Sequence, residues 1–120
     1  MGKTVMIVDD SLVMRTILRG IMREQGYSVV AEAASGIETM KQLHEHSPDL
    51  ITLDIILPDV NGLNLLDAIL AIRPQSKVVV CSSISQEAVI HKALEHGAHA
   101  FLQKPFTPEK VAAALENLER

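Results

Sequence analysis

The sequence predicts an α/β fold, a doubly wound five-stranded parallel sheet. Three observations predict it. Five short apolar runs alternate with stretches of helical spacing, the rhythm of strand–helix–strand units. The runs are apolar almost without interruption, as strands buried on both faces are. Four of them stop at a polar residue followed by a turn: Val5-Met6-Ile7-Val8 at Asp9 and Asp10, Leu50-Ile51-Thr52-Leu53 at Asp54, Val78-Val79-Val80-Cys81 at Ser82, and Ala100-Phe101-Leu102-Gln103 at Lys104.

The first strand is expected from Thr4 to Val8. The first helix follows over Ser11 to Gln25, capped by Ser11, with Leu12, Ile17, Leu18, Ile21 and Met22 as its apolar stripe and Gly26 as its stop. A second strand covers Ser28 to Ala33. Ser35-Gly36-Ile37-Glu38 has the Ser-x-x-Glu form of a capping box and opens the second helix, which ends before Pro48. Asp49 to Asp54 is the third strand. Leu57-Pro58-Asp59-Val60-Asn61-Gly62 is a loop, with Asn61 capping a third helix whose core stripe is Leu63, Leu66, Ile69 and Leu70. Lys77 to Cys81 forms the fourth strand. The fourth helix runs from Ser85 or Gln86 to His96 and closes at Gly97. Ala100 to Gln103 is the fifth strand. Thr107-Pro108-Glu109 reads as cap, first-turn proline and first-turn acid of the last helix, with Val111, Leu115 and Leu118 facing inward. Crossovers between parallel strands should be right-handed.

Composition narrows the function. A chain of 120 residues is one domain with material for one sizeable core, so residues 1–120 are expected to form a single unit. With 48% hydrophobic residues it is a globular chain, and with 2% aromatics its core must be aliphatic. No apolar stretch is long enough to span a membrane. Met1-Gly2-Lys3-Thr4 runs straight into the first strand, from which no signal peptide and a cytoplasmic location are expected. Cys81 is the single cysteine, which excludes an internal disulfide, fits a reducing compartment and reads as a small buried hydrophobe. A net charge of −4 disfavours nucleic acid as a partner. His44, His46, His91, His96 and His99 lack zinc-ligand spacing and read as solvated helix-end residues.

Parallel strands of one open sheet end at the same edge, and the crevice outside that edge is where such sheets bind ligands. Asp9, Asp10, Asp54, Ser82 and Lys104 should therefore meet. Adjacent carboxylates repel by about 4 kcal/mol per pair at ~4 Å and an effective dielectric of ~20, so they must be protonated, paired or metal-bound. A hard oxygen set without Cys or His suits Mg²⁺, or Mn²⁺ in its place. Taken singly, Lys104 could merely neutralise a carboxylate, and Ser82 could merely bond the backbone. Together with a divalent ion they match a phosphoryl site, in which a cation offsets charge on the equatorial oxygens and a hydroxyl donates to one of them. An aspartate can be the acceptor, and on this reading Asp54 is the nucleophile.

Asp9-Asp10, Asp54, Ser82 and Lys104-Pro105, in that order and each at a strand end, resemble the receiver domains of two-component response regulators. The resemblance covers essentially the whole chain. The run from Asp54 to Gly62 is similar to the loop after that family's phosphoaccepting aspartate, and Lys104-Pro105-Phe106 to its lysine–proline turn, commonly a cis bond. Ser11-Leu12-Val13-Met14-Arg15, Val80-Cys81-Ser82-Ser83 and the run from Phe101 to Pro108 look most like the stand-alone chemotaxis members.

The resemblance implies the strand order 2-1-3-4-5 of flavodoxin-like sheets. It implies Asp54 as phosphoryl acceptor, Asp10 and Asp54 as metal ligands with the Ile56 carbonyl, and Asp9 as holder of metal-bound water. Lys104 would pair with the phosphoryl group, Ser82 would move toward it, and Phe101 would be the switch aromatic that turns inward; here no phenolic hydroxyl assists, so burial must drive that turn. The family's rate-setting positions are Ile56 and Ile84, both apolar, expected to crowd the attacking water. A CheA-like histidine kinase would supply the phosphoryl group. A FliM-like flagellar motor switch protein would read the face of the fourth helix, fifth strand and fifth helix, where Ala88, His91, Lys92, Glu95, His99 and Lys110 are candidate surface residues. A phosphatase is a further implied partner, and the chain is expected to be a monomeric signalling protein and not an enzyme.

Two rivals remain at this point. A stand-alone relay or regulatory receiver outside chemotaxis shares every motif, although the end at Arg120 implies no attached DNA-binding domain. An aspartate-nucleophile, Mg²⁺-dependent phosphatase uses the same groups but expects a second aspartate two residues after a nucleophile on the first strand, which Asp9-Asp10-Ser11-Leu12 does not supply.

Overall fold

The computed structural model describes residues 3–118; the expectations about the two chain ends lie outside them. Strands and helices alternate as β1 (Lys3–Val8), α1 (Leu12–Glu24), β2 (Tyr27–Ala33), α2 (Gly36–Glu45), β3 (Leu50–Leu53), α3 (Gly62–Ile72), β4 (Lys77–Ser82), α4 (Glu87–Glu95), β5 (Ala100–Gln103) and α5 (Pro108–Leu118). All four strand pairings are parallel, in the order β2-β1-β3-β4-β5. The register between β1 and β2 slips once, between Val5 and Met6. No helix among the described residues is long and apolar enough to cross a membrane.

The unbroken apolar strands follow from burial on both sides. Met6, Val8, Ile51, Leu53, Val78 and Val80 face one layer, where α2, α3 and α4 contribute Leu43, Leu65, Leu66, Ile69 and Ala93. Val5, Ile7, Leu50, Val79, Cys81 and Leu102 face the other, against Leu18, Ile21 and Met22 of α1 and Val111 and Leu115 of α5. The alternation of side chains along a strand divides the two sets.

Helix ends obey the expected chemistry with one variation. Ser11 Oγ accepts from the Met14 amide at 3.2 Å, Asn61 Oδ1 from Leu63 and Asn64 at 2.9 and 3.2 Å, and Thr107 Oγ1 from Lys110 at 3.2 Å. Gly26 and Gly97 take positive φ where α1 and α4 end. At α2, Ser35 Oγ accepts from Glu38 at 3.2 Å, but Glu38 reaches back to the Ala34 amide at 3.3 Å rather than to that of Ser35.

Two apolar stripes differ from expectation. On α1 only Leu18, Ile21 and Met22 are buried, whereas Leu12 and Ile17 are 63% and 46% exposed. At roughly 100° per residue Ile17 points well away from Leu18, and Leu12 lies beyond the strand ends. On α3 the buried row is Gly62, Leu65, Leu66 and Ile69. That is the i, i+3, i+4, i+7 face and includes Leu65, while Leu63 and Leu70 are only partly buried against it. β4 extends through Ser82, making that residue part of the strand.

Candidate functional site

At the C-terminal edge of the sheet each pocket residue is held by the strand it ends. The Asp9 amide continues the ladder to Ala33 O at 3.0 Å, and the Asp54 amide bonds Val8 O at 2.9 Å. The Lys104 amide bonds the Ser82 carbonyl at 2.8 Å, across from β4. Lys104 enters the cis peptide bond to Pro105, as the resemblance implied.

The side chains then meet. Lys104 Nζ donates to Asp9 Oδ2 at 2.7 Å and to Asp54 Oδ2 at 2.8 Å. The second oxygen of each acid is fixed by its own turn: Asp9 Oδ1 accepts from the Ser11 amide and Asp54 Oδ1 from the Ile56 amide, both at 2.9 Å. Asp9 is 1% and Asp54 6% exposed, while Asp10 faces solvent. Asp9, Asp10 and Asp54 can each present an oxygen within 4.8 Å of the others.

Three carboxylates against one ammonium leave two formal negative charges, which one divalent cation would balance. The donors are hard oxygens, two preset by backbone N–H groups and the third open to water, which fits Mg²⁺ chemistry. Burial alone would lower the Lys104 pKa, but the hydrogen bonds and charges of Asp54 and Asp9 outweigh it and hold the ammonium above the ordinary lysine range. Beneath the pocket, Cys81 is a thiol whose pKa burial pushes up to about 12. It is inert packing.

The remaining predicted residues stand close by but are not all turned inward. Ser82 is fully buried, and its Oγ accepts from the Ile84 amide at 3.3 Å. Phe101 pairs with Val80 and is half-buried on the α4 side of the sheet, against the same cluster as Ile84 and Val89. Ile56 and Ile84 line one cleft of about 320 Å³ beside the loop after Asp54. Ala88, His91, Lys92, Glu95, His99 and Lys110 are all exposed. The acidic trio is the only potential metal cluster among the described residues, so the histidines form none. His91 and His96 instead reach Glu95 and Asp67, both at 2.8 Å.

Sequence reasoning missed the supports. The Arg15 guanidinium donates to the Asp9 carbonyl at 2.6 Å and pairs with Glu32 at 3.3 Å. Arg19 grips the same Glu32 through two bonds of 2.6 and 2.9 Å. The Arg19 hydrogen bond holds the Glu32 carboxyl below its usual range, against a smaller opposing effect of burial. A lone acid inside β2, with two arginines four apart on α1, was the available signal. Asp59 likewise accepts from the amides of Gly36 and Ile37 at 2.8 and 3.1 Å.

The family model described as response regulator receiver domain matches residues 5–116. The chemotaxis protein CheY of Thermotoga maritima is 40% identical over 120 residues, all of both chains. That of Bacillus subtilis is 36% identical over 115 residues, 96% of each. Among solved structures, the CheX–CheY–BeF₃–Mg²⁺ complex from Borrelia burgdorferi matches with a TM-score of 0.93 at 28% identity, covering 98% of this chain and 90% of that one.

Proposed function

The chain belongs to the response regulator receiver domain family of two-component systems, and from that premise we propose that it is a phosphoacceptor switch with Asp54 as the acceptor. One observation carries this reading: a single ammonium, Lys104, bridging Asp9 and Asp54 with Asp10 in reach.

In the proposed reaction an Asp54 carboxylate oxygen attacks phosphorus, the P–N bond to a kinase phosphohistidine breaks, and the freed imidazole nitrogen retains the electron pair. The Ile56 amide holds one Asp54 oxygen and so aims the other. Lys104, already 2.8 Å from that second oxygen, follows it onto the phosphoryl oxygens. Asp9, Asp10, Asp54 and the Ile56 carbonyl would hold Mg²⁺, or Mn²⁺ in its place, which when bound offsets phosphoryl charge. Ile56 and Ile84 crowd the side from which water would return.

Phosphorylation adds roughly one and a half to two negative charges beside Ser82. The Ser82 hydroxyl, held at 3.3 Å by Ile84, exchanges that partner for a phosphoryl oxygen, and Phe101 turns into the space released. α4 is the element suited to respond: its cap residue Gln86 makes no side-chain bond and only Ala93 is buried. The face of α4, β5 and α5 would then bind a FliM-like flagellar motor switch protein, with a CheA-like kinase upstream and a phosphatase to end the signal. The CheY relatives and the CheX complex support this chemotaxis role. Residues 1–120 act as one cytoplasmic, monomeric receiver that catalyses only its own phosphorylation and dephosphorylation.

The test is incubation with acetyl phosphate and Mg²⁺. A labile mass gain of one phosphoryl group that disappears in Asp54→Ala is expected. Rapid turnover of a generic phosphomonoester would favour a phosphatase instead. Phosphorylation-dependent pull-down of a flagellar switch fragment separates chemotaxis from relay.

A further inference from the structure

Building on the Mg²⁺ reading of that edge, we infer that Asp59 is a positioning residue for the metal-binding side of the site, acting through the loop that carries Ile56. Asp59 Oδ1 and Oδ2 accept from the amides of Gly36 and Ile37, the first two donors of α2. A helix leaves these unsatisfied on its own. The Ser35 hydroxyl accepts only from the next amide, that of Glu38. The N-terminus of α2 is therefore completed by a carboxylate from a loop 23 residues later in the chain, with the sign its dipole favours.

The anchor is firm and the loop is stiff. At the far end of α2, the Arg73 guanidinium donates to the carbonyls of Leu43 and His46, so α2 is gripped at both termini from the flanks of α3. The loop from Ile55 to Gly62 closes on itself. Ile56 bridges Asn61 in antiparallel fashion, and a Cβ at Gly62 would overlap the Ile55 backbone. Val60 seals the tip against α2, where a Cβ at Gly36 would come within 2.5 Å of it. A stiff loop pinned at its tip is oriented as a unit. Ile56, whose amide holds Asp54 and whose carbonyl is the proposed ligand, lies between tip and root. Ligand groups need placement within about 0.5 Å to function, and Asp59 supplies the distant fixed point.

The test is Mg²⁺ titration of the full chain followed by ¹H–¹⁵N NMR, with thermal unfolding in EDTA alongside. Asp59→Ala should raise the Mg²⁺ Kd about tenfold, as loss of an outer partner of a metal ligand does. Asp59→Asn, which retains one acceptor, should raise it less. Gly36→Ala, which keeps the amide that Asp59 accepts from but displaces Val60 at the loop tip, should weaken binding in the same direction. Lowered thermal stability with a Kd within about twofold of the native value in these variants would mean that Asp59 is only a helix cap, and would overturn the inference. Absence of Mg²⁺ binding by the native chain, or binding indifferent to Asp10→Ala, would overturn the Mg²⁺ reading itself.

Discussion

The two edges of the sheet carry similar residues and use them differently. At the N-terminal edge, Asp49 Oδ2 accepts from the Thr4 amide and hydroxyl at 2.8 and 3.2 Å, the Asp49 amide donates back to Thr4, and Ser76 Oγ donates to Pro48 O at 2.6 Å. Every one of these groups is matched by neighbouring backbone or a neighbouring hydroxyl. At the C-terminal edge, Asp9 and Asp54 give one oxygen each to a local amide, but their second oxygens face Lys104, and Asp10 adds a third carboxylate. A polar strand end is structural when backbone groups and hydroxyls satisfy it, as Thr4 and Pro48 do. It becomes a site when several charged side chains from different strands face one another and leave charge over.

The largest effect that would break this contrast is expected at Lys104. Lys104→Met leaves two buried carboxylates without their cation and should lower stability in EDTA by about 3 kcal/mol, with part recovered as Mg²⁺ is added. Denaturant unfolding measures both. Because the folded pKa of Lys104 is raised, its stabilisation is fully present below the ordinary value of 10.5 and is lost as pH rises through the folded value. The gap between native and Lys104→Met proteins should therefore stay constant from neutral pH up to that value and close as pH rises through the folded value.

Asp10→Ala should separate binding from stability. The residue is exposed, so unfolding in EDTA should change by less than about 0.5 kcal/mol, while Mg²⁺ affinity falls at least ~10-fold. At the opposite edge, Asp49→Ala should cost about 1 kcal/mol and the same amount with or without Mg²⁺. A Mg²⁺-dependent cost there would erase the distinction between the edges. The smallest effect concerns Ile56: Ile56→Asn should shorten the phosphoryl lifetime about 3-fold, some ~0.7 kcal/mol of barrier, read from the decay of the phosphorylated mass. An unchanged lifetime would remove the water-crowding role of the apolar pair.

The contrast also explains what could be read from the chain. Asp9, Asp10, Asp54 and Lys104 were legible as residues of one edge because apolar runs that stop at a charge, on parallel strands, end on the same side of the sheet. Strand order was not legible that way and came from family resemblance. The α1 stripe was overextended because Leu12 and Ile17 are apolar, yet burial depends on where the sheet ends, and the α3 stripe was rotated by one residue for want of that reference. Arg15, Arg19 and Glu32, and Asp59 at the head of α2, escaped notice because their partners are main-chain atoms or residues on other elements. No periodicity encodes such meetings. Ser82 was placed correctly at the edge, but its hydroxyl bond to the Ile84 amide depends on a local turn that spacing does not specify.

The most direct test is chemical mapping of the phosphorylated residue. The chain is treated with acetyl phosphate and Mg²⁺, reduced with borohydride to convert an aspartyl phosphate to homoserine, digested, and sequenced by tandem mass spectrometry. Homoserine at position 54 alone, and none when Mg²⁺ is chelated, is the predicted result. Reduction at Asp9 or Asp10, or labelling indifferent to the metal, would contradict it.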